Sequence, residues 1–387
     1  MVQFWLFLVM IPHVLLTANE SPTMMEQLVQ AQLQQLDTTE MESFWKQFQK
    51  EYGQFFAEKK PPDLFALFFN KNEDWGIRQA LTALARYFFH EVLYSGKLLG
   101  TIIILTVFSM ILQTLQTAFE RNQVSRVAYA IVFMVLILLA VQSFSVAIEA
   151  AKKAIEQMID FMLALIPLML TLLATMGNLT SVSLFHPLIV FLIHVVGTLI
   201  YIVIFPILFF STILSIVSSL SEKYKVNQLA DLMRKISITF MGGLLTIFLG
   251  VISVQGASAA VVDGITIRTA KYLTGNFVPV IGRTMSEAAD TVIGASLLVK
   301  NTVGIAGVVV LLFICAFPAI KVLSLAFIYH FASAVMQPLG HSPIIECLST
   351  IGRTLVYVFA ALAVVGLMFF LSVTILVASA NLAIMLR

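Results

Sequence analysis

Charged residues are scarce in this chain. Asp, Glu, Lys and Arg make up 11% of its 387 residues, whereas about a quarter of an ordinary soluble domain is charged. Hydrophobic residues reach 59%, so the composition predicts a protein that lies in the lipid bilayer. The 23 basic and 21 acidic residues leave a net charge of +2. This lack of a basic excess argues against a nucleic-acid-binding protein.

Motifs that would hold a metal, a nucleotide or a catalytic nucleophile are also lacking. The two cysteines, Cys315 and Cys347, have no CxxC spacing, which argues against a disulfide framework or a zinc site and favours small core residues. His90 and Glu91 begin a zinc-protease pattern, but Tyr94 stands where its second histidine is needed. The chain contains no phosphate-binding GxxxxGK[ST] loop. The sequence therefore predicts no catalytic, cofactor or metal residues and a protein that is not an enzyme.

The amino terminus is predicted to lie outside the cytoplasm. Residues 1–18 are apolar and end at an abrupt polar turn, Asn19 to Pro22, which is typical of a signal peptide or of an uncleaved anchor. Residues 19–97 hold most of the polar character of the chain, with apolar residues at helical spacing. They are predicted to form a small extracytoplasmic helical region.

The rest of the chain predicts an all-α polytopic membrane protein with six to eight transmembrane helices. A span needs about 20 apolar residues, and the clear candidates are Leu98 to Phe119, Val127 to Ala147, Ile236 to Val254 and Leu355 to Ala378. Residues 184–220 and 302–336 are longer than one span and predict either a kinked single helix or two spans each. Residues 149–177 and 263–300 carry charges and predict amphipathic or re-entrant hairpins.

The chain also predicts a tandem internal repeat. An offset of 112 residues superposes Pro167 on Pro279 and Pro206 on Pro318. The predicted organisation is a leading helix at 98–125, repeats at 126–234 and 235–352, and a terminal helix at 353–387. Basic residues cluster after the long spans, and if all of these connections are cytoplasmic the two copies run parallel.

Two sets of residues are candidates for function. Pro167, Pro206, Pro279 and Pro318 are candidate helix-break positions, because proline removes a helix hydrogen bond. A charged set lies at the second predicted hairpin and could line a gate or lumen: Asp263, Arg268, Lys271, Arg283, Glu287 and Asp290. Its polar face is costly against lipid and should contact protein or water, although an amphipathic helix lying in the membrane interface is an equal alternative.

A family resemblance rests on the stretch Asn276 to Val292, which continues through Gly294-Ala295-Ser296 to Gly304. This stretch, together with Val262 to Lys271 and the order of signal-like segment, helical region and polytopic body, resembles the stage III sporulation protein AE family of endospore-forming bacteria. The resemblance covers nearly the whole chain. The family has no established catalytic residues, so none is carried over.

The resemblance implies a subunit of a secretion-like channel, or feeding tube, that links mother cell and forespore. It implies a place in the mother-cell membrane around the forespore, the outer forespore membrane. The implied partners are a secretion-type ATPase and ring-forming membrane proteins, and the subunit could act as gate, pore element or platform. The alternative from another class is a secondary transporter, in which two parallel repeats bracket a site at helices broken near Pro167 and Pro279.

Overall fold

The structure is a computed structural model of the whole chain, and it describes residues 29, 31–32, 36–56, 64, 77–118, 123–220, 226–277, 281–340 and 342–385. Within these ranges the side chains of 281–289 and of several other residues near helix ends are not described. The signal-like segment at 1–18 lies outside the described residues.

The described part of the chain contains helices and no strand. In chain order the helices are α1 Thr39–Tyr52, α2 Ile77–Tyr94, α3 Gly96–Ala118, α4 Gln123–Thr175, α5 Leu179–Leu199, α6 Phe205–Leu220, α7 Asn227–Phe277, α8 Ile281–Met336 and α9 Pro343–Met385. A π turn, Ile200–Ile204, joins α5 to α6, and short 3₁₀ turns follow α1 and α8. The predicted all-α class is confirmed.

Six helices among the described residues are long and apolar enough to cross a membrane. The α5–α6 rod counts as one of them, so this number agrees with the lower end of the predicted range. Five of the six are far longer than the 20 or so residues that a bilayer needs. The 53 residues of α4 extend for about 80 Å.

Helix α4 corrects the predicted hairpin at residues 149–177. These residues are not a hairpin, because one continuous helix extends from Gln123 to Thr175. The charges between Glu149 and Asp160 lie on one face that stays exposed, while the opposite face, which includes Ala151, Ile155 and Met158, is fully buried. The charged residues therefore form an amphipathic segment within one continuous helix, and the chain does not reverse there.

Short connections join the long helices, so successive helices run in opposite directions. Residues 176–178 turn α4 into α5, and Gly177 adopts φ +83° there, a conformation that favours glycine. The carboxyl ends of α6 and α8 then lie at the opposite end of the bundle. Residues 235 and 353, where new repeat units are predicted to begin, lie inside α7 and α9.

The centre of the bundle is formed by α8 and α9, which pack along each other and against α4 and α7. Glycines allow the closest approaches. A Cβ atom at Gly304 would lie 2.4 Å from Val377, and one at Gly366 would lie 2.5 Å from Cys315. Small residues at helix crossings let apolar helices pack closely within a membrane.

The four candidate break positions differ in structure. Helices α4 and α8 continue through Pro167 and Pro318; neighbouring helices can support a proline inside a membrane helix. Pro206 lies two residues after the end of the π turn, so the helix is distorted next to this proline, as is common. Pro279 lies outside the described residues. Pro187, inside α5, was not among the predicted positions.

Candidate functional site: a charged face and a polar cavity

A charged face lies halfway along α4. Glu149, Lys153, Glu156 and Asp160 are all exposed, and their spacings of four, three and four residues place them on one side of the helix. Apolar segments of α4 lie on either side of this face. Charges in such a position are costly against hydrocarbon, so this side of the bundle must contact water or protein.

A polar cavity of about 270 Å³ adjoins the charged face. Four helices contribute to it: α1, α2, α4 and α8. Its lining residues are Glu51, Tyr52, Tyr87, Val146, Glu149, Ala150, Lys153, Ala154, Gln157, Pro318 and Lys321. One of the candidate prolines, Pro318, is therefore part of a polar site, although the helix does not break there.

Acidic residues and burial control the electrostatics of this cavity. Lys321 Nζ of α8 lies 3.8 Å from a carboxylate oxygen of Glu91, which is mostly buried. Burial raises the pKa of Tyr52, and the nearby Glu51 raises it further. Burial and Glu91 likewise raise the pKa of Tyr87. Both phenols therefore stay neutral near pH 7 and act as hydrogen-bonding groups.

An aromatic cluster holds α1 over the cavity. Phe48 stacks on Phe313 of α8 with ring centroids 4.8 Å apart, and Tyr52 lies 4.2 Å from Phe317. Trp45, which is 2% exposed, also packs on Phe313. Buried aromatic rings contribute much of the energy of such contacts. The amphipathic α1 is thus fixed to the membrane bundle, and in its acidic first turn Glu40 is exposed and Glu42 is half-buried.

A groove of about 460 Å³ lies on the other flank of α4, between α4 and α6. Glu149, Lys152 and Pro206 are among its lining residues. The Tyr201 hydroxyl, in the π turn, donates to the Lys152 carbonyl oxygen at 2.9 Å, and Lys152 Nζ lies 5.4 Å from the centre of the Tyr201 ring. Pro206 and Pro318, which the 112-residue offset superposes, therefore both face the charged segment of α4.

The structure describes the side chains of three of the six charged residues expected to line a gate: Asp263, Arg268 and Asp290. Asp263 is 1% exposed, and its two carboxylate oxygens accept hydrogen bonds from the backbone N–H groups of Thr180 and Ser181, each at 2.8 Å. Asp263 therefore contacts protein and caps the start of α5. Arg268 and Asp290 are exposed, and the side chains of Lys271, Arg283 and Glu287 are outside the described residues.

Two further buried cations were not among the predicted site residues. Lys300 is fully buried, and its Nζ donates to the Val377 carbonyl oxygen and to Asn381 Oδ1, both at 2.8 Å. Arg234 is 6% exposed and donates to Asp231 at 2.7 Å and to the hydroxyls of Ser211 and Ser215. For Lys300 the available signal was a lone basic residue in an apolar stretch, which usually needs a partner. Arg234 stands beside Lys235 and gave no such signal.

A metal site is not evident in the described residues: no three His, Cys, Asp or Glu side chains there are placed to hold an ion. Both cysteines are free, with Cys347 buried and Cys315 half-buried. The chemistry that the site offers is therefore charge, hydrogen bonding and water.

Long apolar helices around a charged face and a polar cavity define an α-helical polytopic membrane protein. The comparisons with known proteins identify its family. Residues 61–380 match the family Stage III sporulation protein AE, and the chain belongs to this family. It is 55% identical over 362 residues to Stage III sporulation protein AE of Bacillus subtilis (strain 168), covering 94% of this chain and 90% of that protein. No solved structure is a significant match.

Proposed function

We propose that this chain is a non-enzymatic integral membrane subunit of a secretion-like channel complex that links mother cell and forespore during endospore formation. Membership of the sporulation family supports a role in sporulation. The proposed location is the mother-cell membrane around the forespore. Within the complex the chain acts as gate, pore element or assembly platform.

The observation that carries the proposal is the exposed charged face of α4. Glu149, Lys153, Glu156 and Asp160 lie on a helix whose flanking segments are apolar. A subunit that lines a water-filled path, or that packs against other subunits, would need such a face. The adjoining polar cavity provides hydrogen-bonding groups at the same height.

The proposed partners supply what the sequence lacks. The chain has no phosphate-binding loop, so energy for transport would come from a secretion-type ATPase. Ring-forming membrane proteins would continue the path beyond this subunit. The charged face of α4 and the acidic first turn of α1 are the polar surfaces that such proteins could contact.

Affinity purification tests the proposal. The chain would be tagged at its carboxyl terminus, extracted from sporulating cells in mild detergent, and its co-purifying proteins identified. Recovery of an ATPase and ring-type membrane proteins supports a channel subunit. The double variant Glu156→Lys with Asp160→Lys should lose these partners, whereas Glu156→Gln should keep them. Isolation of the native protein without partners would contradict the proposal.

The alternative function, a secondary transporter, has less support. It depends on helices broken near Pro167 and Pro279 that bracket a solute site. Helix α4 is continuous through Pro167, and Pro279 lies outside the described residues. No specific contact in the described part of the chain favours this alternative.

A further inference from the structure

An apolar groove lies on the outer surface of α7. Its volume is about 740 Å³, within the range of small-molecule sites. Leu199 of α5 contributes to one wall, and the rest of the lining is a single face of α7: Leu232, Lys235, Ile236, Thr239, Phe240, Gly243, Leu244 and Ile247. Nothing lies within 4 Å of the position of a Cβ atom at Gly243, so this glycine keeps the groove open.

One charge stands at one end of the groove. Among the described residues that line it, Lys235 alone is charged, and it is exposed. Large apolar side chains nearby are also exposed, Leu232 at 53%, Ile236 at 49% and Ile247 at 66%. The groove therefore combines a cationic end with an apolar length, which matches an amphiphile that carries an anionic head.

The length of the groove matches one leaflet of a bilayer. From Lys235 to Ile247 the helix rises about 18 Å, and half of a hydrocarbon core of about 30 Å is about 15 Å. Lys235 lies near the start of α7. The sequence just before this helix contains two more basic residues, Lys223 and Lys225. A basic end of this kind is typical of the cytoplasmic side, where the anionic lipids are concentrated.

We propose that the α7 groove binds one acidic phospholipid, with its phosphate at Lys235 and an acyl chain along Thr239, Gly243 and Ile247. The proposal is independent of the channel function. A helix of a second copy is the other occupant that an apolar groove could take, because Gly242, Thr246 and Gly250 are small and exposed. A lipid needs the open space at Gly243, whereas a second copy would also need the small surface around Gly250.

Native mass spectrometry of the full chain tests the proposal. The protein would be purified in mild detergent and offered equal amounts of phosphatidylglycerol and phosphatidylcholine. The native protein should retain one molecule of phosphatidylglycerol in preference to phosphatidylcholine. Lys235→Gln should reduce this preference about fivefold, the effect of one basic residue near the membrane surface, whereas Lys50→Gln on the exposed face of α1 should leave it unchanged.

Two glycine variants separate a lipid from a second copy. Gly243→Leu fills the groove, and leucine is the better helix former, so folding should be preserved. This variant should lose the retained lipid, while Gly250→Leu, two turns further along the same exposed face, should keep it. Equal retention of both lipids by the native protein, or retention by Gly243→Leu, would overturn the proposal. Dimers that Gly250→Leu disrupts would assign the face to a second copy.

Discussion

Asp263, Lys300 and Arg234 are charged side chains buried in an apolar bundle. Asp263 accepts from the first amides of α5, which have no partner inside that helix, and its charge complements the helix dipole. Lys300 donates to the Val377 carbonyl and to Asn381, both of which lie inside α9. These residues therefore stabilise the crossing of helices that are distant in sequence.

Replacing Asp263 should destabilise the fold. Asp263→Asn keeps one acceptor but turns an amide toward the N–H groups of Thr180 and Ser181, so the free energy of unfolding should fall by about 1 to 3 kcal/mol. Thermal unfolding in mild detergent would measure the loss. Arg268→Gln, an exposed position on the same helix, is the matched control and should not change the midpoint. Equal midpoints for both variants would contradict the capping role.

Lys300 offers a two-step test of its hydrogen bonds. Lys300→Met leaves Asn381 Oδ1 without this donor and should lower the free energy of unfolding by about 1 to 3 kcal/mol. Adding Asn381→Leu removes that unpaired group, so the double variant should recover part of the loss. Unfolding midpoints of Lys300→Met and of the double variant would be compared. A double variant that is no more stable than Lys300→Met would refute this account.

At the level of elements, α4 joins two apolar segments through a charged one, and the sequence could predict only part of this. The 21 apolar residues from Val127 to Ala147 predict a span, and the charges after them predict a turn. Helix α4 continues instead, because α1, α2 and α8 cover one flank and leave Glu149 and Lys153 at a cavity. Contacts such as Trp45 with Phe313 join residues far apart in sequence, so periodicity alone could not reveal them.

Charge reversal on α4 should impair sporulation. Glu156→Lys combined with Asp160→Lys changes an exposed face without entering the core, so the protein should still accumulate in the membrane. Spore counts should fall about tenfold or more if this face meets a partner or a water-filled path. Heat-resistant colonies and membrane levels would be measured together. Normal spore counts would show that sporulation does not depend on this charged face.

Pro318 should destabilise α8 locally. Its ring removes a hydrogen bond to the Ile314 carbonyl and strains the helix interior by about 3 kcal/mol. Pro318→Ala should therefore raise the unfolding midpoint, provided that packing against Tyr52 is kept. Spore formation by the same variant would show whether the strain serves function. A lower midpoint would mean that the proline ring is needed for packing at the cavity.

The whole molecule has two unlike sides. Residues 179–220, which form α5 and α6, contain no Asp, Glu, Lys or Arg, and Phe191 and Phe210 are exposed there at 63% and 57%. The charged residues lie on other elements, chiefly the exposed face of α4 and the polar surface of α1. We therefore expect the outer face of α5, where Phe191 lies, to contact lipid and the charged face of α4 to contact water or protein.

Cysteine labelling would test this arrangement in membranes. In a background with both native cysteines replaced by alanine, Glu156→Cys should react with a membrane-impermeant maleimide. Phe191→Cys, at another exposed position, should react far more slowly because hydrocarbon excludes the reagent. The ratio of the two rates is the measurement. Similar rates at both positions would contradict the assignment of sides.

The buried contacts of Asp263 and Lys300 also set an order for folding during synthesis. The amides at the start of α5 gain their acceptor only after Asp263, 83 residues beyond Thr180, has been synthesised. Lys300 likewise gains its side-chain acceptor only after Asn381, 81 residues later, has been synthesised. Premature stop codons that remove only the last turns of α9 should leave a nascent chain that quality-control proteases recognise and degrade.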